Sequence, residues 1–107
     1  MKIYVIGPVT GIPNDNKEAF VQACHDLVEA GYLAAIPHYF IPSDAEWHEA
    51  MKVSIAQMMQ ADGVAMLDGW HDSKGACLEY DIARRVGMPA YCVDHWISSA
   101  AHYLKGM

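Results

Sequence analysis

Positive charge is scarce in this sequence. Seven lysines and arginines stand against thirteen aspartates and glutamates, a formal charge of −6. No basic stripe is there to neutralise phosphates, so a nucleic-acid polymer is not an expected partner. Long apolar runs are also missing. None approaches the ~20 residues that cross a bilayer, and the first residues lack the layout of a signal peptide, so no membrane partner and a cytoplasmic location are expected. Cys24, Cys77 and Cys92 are widely spaced, odd in number and free of any C-x-x-C. That pattern predicts reduced, mostly structural thiols rather than a disulfide framework. His25, His38, His48, His71, His95 and His102 show neither H-x-x-x-H nor H-x-H spacing, so no metal is expected. Dinucleotide, P-loop and nucleophile-elbow motifs are absent too, and no cofactor is expected.

What remains is a chain of 107 residues, 53% hydrophobic and 19% charged, which fits one folded domain spanning residues 1–107. Residues 2–6 read as a strand ended by Gly7-Pro8, and 7–16 as a loop. A helix follows with Phe20, Ala23, Cys24, Leu27 and Val28 on its inner face, closed by Gly31. Strand two is expected at 32–36 and a loop at 37–46. Helix two is expected at about 45–60, with Met51, Ser54, Ile55, Met58 and Met59 facing inward. Strand three follows at 63–67, helix three at 74–86 with Leu78, Ile82 and Val86 buried, strand four at 90–93, and one short helix near 95–104. This alternation predicts an α/β fold, a three-layer Rossmann-like or flavodoxin-like sandwich around a parallel sheet of four to five strands. Ligands in such sheets bind at the carboxyl ends of strands, which directs attention to the loops 7–16 and 68–75.

The first loop carries Gly7, Pro8, Thr10 and Gly11. Its glycines allow close backbone approach to a ligand and Thr10 adds a hydroxyl, although an ordinary turn-rich loop has the same composition. In the second, Asp72 or Ser73 can cap helix three, and the amides around Ser73–Gly75 make an anion-favouring helix start. Trp47 and Trp70 either wall an aromatic pocket or fill core. Glu79 is the residue that stands out. It lies one position round from Leu78 and in line with Ala76 and Ala83, where small neighbours leave space beside a carboxylate. The alternative is an exposed glutamate pairing with Lys74 or Arg84.

Three stretches, "IYVIGPVTGIPNDN…F" at 3–20, "ADGVAMLDGW" at 61–70 and "SKGACLEYDIARRVGMP" at 73–89, together resemble the nucleoside 2-deoxyribosyltransferase-like superfamily, in particular a small branch common in phage and prophage genomes. The resemblance implies cleavage of the N-glycosidic bond of 2′-deoxynucleosides or their 5′-monophosphates through a covalent glutamyl-sugar intermediate. It also implies a homodimer or larger homo-oligomer, with C-terminal residues such as Ser98 and Ser99 reaching a neighbour's pocket. Gly75-Ala76-Cys77-Leu78-Glu79 matches the G-x-x-x-E of the superfamily, which makes Glu79 the implied nucleophile and Tyr4 its orienter. Gly7, Pro8, Thr10, Gly11, Asp68, Trp70, Ser73 and Gly75 would then line the substrate site, with Ser73 toward a phosphate. One position departs from the pattern. Relatives commonly carry an aspartate eight residues before Asp62, and here that residue is Ser54. Serine does not protonate a leaving base, a loss of ~10²–10⁴-fold in rate. The rival expectation is therefore a nucleotide-binding protein that senses or sequesters its ligand without turnover.

Overall fold

The computed structural model describes residues 1–106. Four strands form one sheet in the order β2-β1-β3-β4, with every pairing parallel. They are β1 (Lys2–Ile6), β2 (Leu33–Ala35), β3 (Gly63–Met66) and β4 (Ala90–Cys92). Between and after them run α1 (Lys17–Glu29), α2 (Trp47–Met58), α3 (Lys74–Arg85), α4 (Val93–Ser98) and α5 (Ala100–Tyr103). This is the expected Rossmann-like α/β sandwich, at the lower of the two expected strand numbers.

The period-two alternation of strand side chains divides the core into two layers. Ile3, Val5 and Ala65 point to one side, where they meet Phe20 and Leu27 of α1 and Trp96 of α4. Tyr4, Ile6, Val64 and Met66 point to the other, toward Met58 of α2 and Ala83 of α3. The strands of the middle of the sheet are covered on both faces, which is why they read as unbroken apolar runs.

Several inner faces differ from the sequence expectation. Val28 and Met59 are 53% and 46% exposed, because each lies eight residues beyond the first core residue of its helix and so about 80° off the buried stripe. The larger correction concerns α3. Leu78 and Val86 are exposed at 39% and 53%, while Gly75, Ala76, Glu79 and Ala83 are buried. The stripe of small residues lets α3 lie close to the sheet and α2, and Leu78, roughly 100° from Glu79, is turned outward. Val86 falls past the last helical residue. The expected single C-terminal helix is broken at Ser99, whose φ of −102° and ψ of 12° separate α4 from α5.

No helix among the described residues is long and apolar enough to cross a membrane. The three cysteines are free thiols, Cys24 buried and Cys92 exposed.

Candidate functional site

Both loops singled out by sequence end at the same place. Beyond the carboxyl ends of β1 and β3 lies a cavity of about 710 Å³, lined by Gly7, Pro8, Thr10 and Gly11 from the first loop and by Ser73, Gly75 and Glu79 from α3 and its approach. The 37–46 segment and α2 supply further lining, including His38, Ile41, Trp47, Met51 and Ser54. That volume lies in the size range of small-molecule pockets.

Gly7 is in the cavity wall because nothing larger fits. A Cβ there would lie 2.8 Å from the Leu67 Cβ and 3.0 Å from its Cδ1. Gly7→Ala is expected to lower stability by about 1–3 kcal/mol through forced repacking. Gly75→Ala is expected to cost less than Gly7→Ala, because its Cβ would meet the flexible Met51 Sδ at 3.0 Å. Urea denaturation of the two variants side by side checks the order.

The loop after Gly7 closes on itself through an unusual backbone. Asn14, Asp15 and Asn16 all adopt positive φ, 55°, 55° and 57°, a left-handed turn that Asn and Asp tolerate better than most residues. Asn16 Nδ2 donates to the Pro8 carbonyl at 2.9 Å, and His38 Nε2 donates to the Asp15 carbonyl at 2.8 Å. Those two contacts pin the turn from both sides of the cavity. Sequence spacing gives His38 no role beyond that of the other histidines. Its contact is with a main-chain carbonyl 23 positions away, a relation no spacing motif encodes.

Ser73 caps α3, its Oγ accepting from the Ala76 N–H at 3.2 Å. Lys74, next to it, holds its ammonium 4.3 Å from the centroid of the Trp47 ring, so this tryptophan belongs to the cavity wall. Trp70 does not. It follows Gly69, whose φ of 83° turns the chain away, and it packs on Tyr80 at 4.5 Å between ring centroids. Asp68 also lies outside the main cavity and borders a neighbouring depression with Pro8, Gly69 and Asp72.

The chemical centre is a chain of three side chains. Glu79 is 6% exposed and Ser54 4%. The Ser54 hydroxyl donates to Glu79 Oε2 at 2.5 Å and meets the Tyr4 hydroxyl at 2.9 Å. Tyr4, wholly buried on β1, thus reaches Glu79 through Ser54 rather than by a direct bond. No ion pair with Lys74 or Arg84 forms among the described residues: Lys74 is over Trp47 and Arg84 over Tyr80. Burial raises the Glu79 pKa from 4.5 to about 7, opposed by the Ser54 hydrogen bond. Burial likewise pushes the Tyr4 phenol well above its ordinary value, with the Ser54 bond lowering it and the Glu79 charge adding to the rise. A carboxylate titrating near neutrality inside a cavity is suited to nucleophilic or proton-transfer work. Among the described residues no group of three or more His, Cys, Asp or Glu is arranged to hold a metal ion.

Residues 1–92 match the domain of unknown function DUF4406. The chain belongs to that family. No curated protein and no solved structure matches it. The DUF4406 match runs from β1 to the end of β4 and so contains every residue of the cavity and of the Tyr4–Ser54–Glu79 chain.

Proposed function

We propose that this DUF4406 protein cleaves the N-glycosidic bond of 2′-deoxynucleosides or their 5′-monophosphates, with Glu79 as nucleophile. The observation that carries this reading is the position of Glu79: a buried carboxylate in the wall of a cavity, held by one oxygen. It is supported by the resemblance of the three sequence stretches to the nucleoside 2-deoxyribosyltransferase-like superfamily.

In the first step the ionised carboxylate attacks C1′, the C1′–N bond breaks, and its electron pair leaves with the base. In the second, water adds at C1′, the C1′–O bond to Glu79 breaks to restore the carboxylate, and the proton lost by the water neutralises the departed base; a second base in place of water makes the outcome transfer. Splitting one displacement in two is the logic of retaining glycosidases, whose transition states resemble an oxocarbenium ion. Only the ionised form of Glu79 attacks. With a pKa raised to about 7, the reaction is expected to slow as pH falls below neutrality and to level off above it. The phosphate of a monophosphate substrate would lie against the start of α3, near Ser73, Lys74 and Gly75. The working unit on this reading is a homodimer or larger homo-oligomer.

A second reading has its own support. By the resemblance to the nucleoside 2-deoxyribosyltransferase-like superfamily, Ser54 stands where an aspartate would protonate the leaving base, which favours a nucleotide-binding protein without turnover. One experiment decides between them: each deoxynucleoside and deoxynucleoside monophosphate is incubated with the protein, and free base is sought by chromatography. Release by the wild type and not by Glu79→Gln is the expected result. Thermal stabilisation by a nucleotide without release would establish the binder instead, and neither signal with any ligand would defeat both.

A further inference from the structure

Ser54 has one hydroxyl hydrogen, and it is committed to Glu79 Oε2. The 2.9 Å contact with Tyr4 must then be made by the tyrosine hydrogen, so donation runs from Tyr4 to Ser54 to Glu79. The direction is stable because Tyr4 keeps its proton: burial and the neighbouring carboxylate both disfavour the phenolate. Glu79 Oε1 accepts no hydrogen bond from the described residues, and the buried side-chain polar atom left without a partner is His38 Nδ1. Oε1 therefore retains an opening on the cavity, while Oε2 faces the protein. The two oxygens have been made unequal.

We propose that Ser54 is a positioning residue, which ties Oε2 of Glu79 to Tyr4 and leaves Oε1 as the atom that bonds to C1′ of the deoxyribose. This rests on the glycosidase reading above and says what the serine does at a position where a second acid is absent. Without the hydroxyl, the ionised form of Glu79 loses its donor, and the carboxylate loses the tether that selects one oxygen. The other charged or titratable groups near the carboxylate are Tyr4 on β1 and Asp15, His38, Asp72 and Lys74 around the cavity. Burial holds the Glu79 pKa up and the Ser54 bond pulls it part of the way back, so removing the hydroxyl should raise it further.

The test labels glutamate carboxyl carbons with ¹³C and titrates Glu79 by NMR in wild type, Ser54→Ala and Ser54→Thr. Hydrogen bonds to charged groups are strong enough that Ser54→Ala should raise the midpoint by roughly one pH unit, and Ser54→Thr, which keeps the hydroxyl, should restore it. The rising limb of the kcat/KM–pH profile should move by the same amount, an approximately fivefold loss at pH 7 that is recovered by pH 9 with KM little changed. If Ser54→Ala does not fold, Tyr4→Phe, which removes the far donor, should give a smaller upward shift. A midpoint unchanged in Ser54→Ala, or in Tyr4→Phe where Ser54→Ala does not fold, overturns the proposal even where base is released. A shifted midpoint with no base release from any substrate supports the hold of Ser54 on Glu79 and defeats the glycosidase reading alone.

Discussion

Glu79→Gln is expected to have two opposite effects: it should tighten the fold at alkaline pH and stop base release. The first follows from linkage. Glu79 titrates at about 7 in the folded chain against 4.5 for the ordinary carboxyl. Between those values the folded chain holds a proton that the unfolded chain has given up, so stability falls as pH rises. The contribution is fully present below pH 4.5 and is lost on passing through pH 7, a change of about 3 kcal/mol. Glutamine keeps the size and does not titrate. The difference in unfolding free energy, mutant minus wild type, should therefore grow by about 3 kcal/mol from pH 4.5 to pH 8. Urea denaturation at a series of pH values measures it, and contributions from groups common to both proteins cancel. A difference independent of pH would mean that Glu79 does not carry the raised value.

The second effect has the same origin. Burial makes the carboxylate costly in the free protein, and on the proposed glycosidase reading its attack on C1′ would replace a buried charge with a neutral ester as the bond forms. Glutamine offers no such nucleophile, so kcat/KM for base release should fall ~10⁴-fold or more. A substitution that stabilises a protein while removing its activity marks a residue retained for chemistry at the expense of stability.

How much of this was legible in the sequence depends on the range of the interaction concerned. The order of elements follows from local pattern, and so does a cap at Asp72 or Ser73, of which the structure shows Ser73. Glu79 stood out from its small neighbours, yet the face it occupies was misassigned, because apolar Leu78 and Val86 drew the expected stripe away from Gly75, Ala76 and Ala83. Hydropathy rewards large side chains, whereas α3 is buried through small ones. Spacing alone presents Ser54 as a missing acid, whereas its contacts lie 50 positions away at Tyr4 and 25 at Glu79. No periodicity expresses such separations. The grip of His38 on the turn at Asn14–Asn16, 23 positions away, shares that obstacle. Trp70 and Asp68 were in the right loop, but Gly69 sends the chain around the outside of the cavity.

The heaviest cost to folding alone should come from a residue on the other side of the sheet. Trp96 is fully buried, its indole N–H donates to the Val64 carbonyl at 2.8 Å, and its own carbonyl accepts from the Tyr32 hydroxyl at 2.7 Å. The ring sits against the backbone of β3 so closely that a Cβ on Gly63 would come within 2.7 Å of it. Trp96→Ala removes this filling and leaves the Val64 carbonyl without that donor, for an expected loss of about 3–5 kcal/mol. Small domains have only about 5–15 kcal/mol in total, so the measurement belongs at pH 5, where the Glu79 contribution is still largely intact. The urea midpoint should fall with little change in slope. Trp96→Phe should recover part of the loss by restoring apolar volume without the indole donor. Because Trp96 packs in the α1 and α4 layer and Glu79 in the α2 and α3 layer, base release per folded molecule should be unchanged in Trp96→Phe. A loss below about 1 kcal/mol in Trp96→Ala would mean that α4 is not packed on the sheet as described.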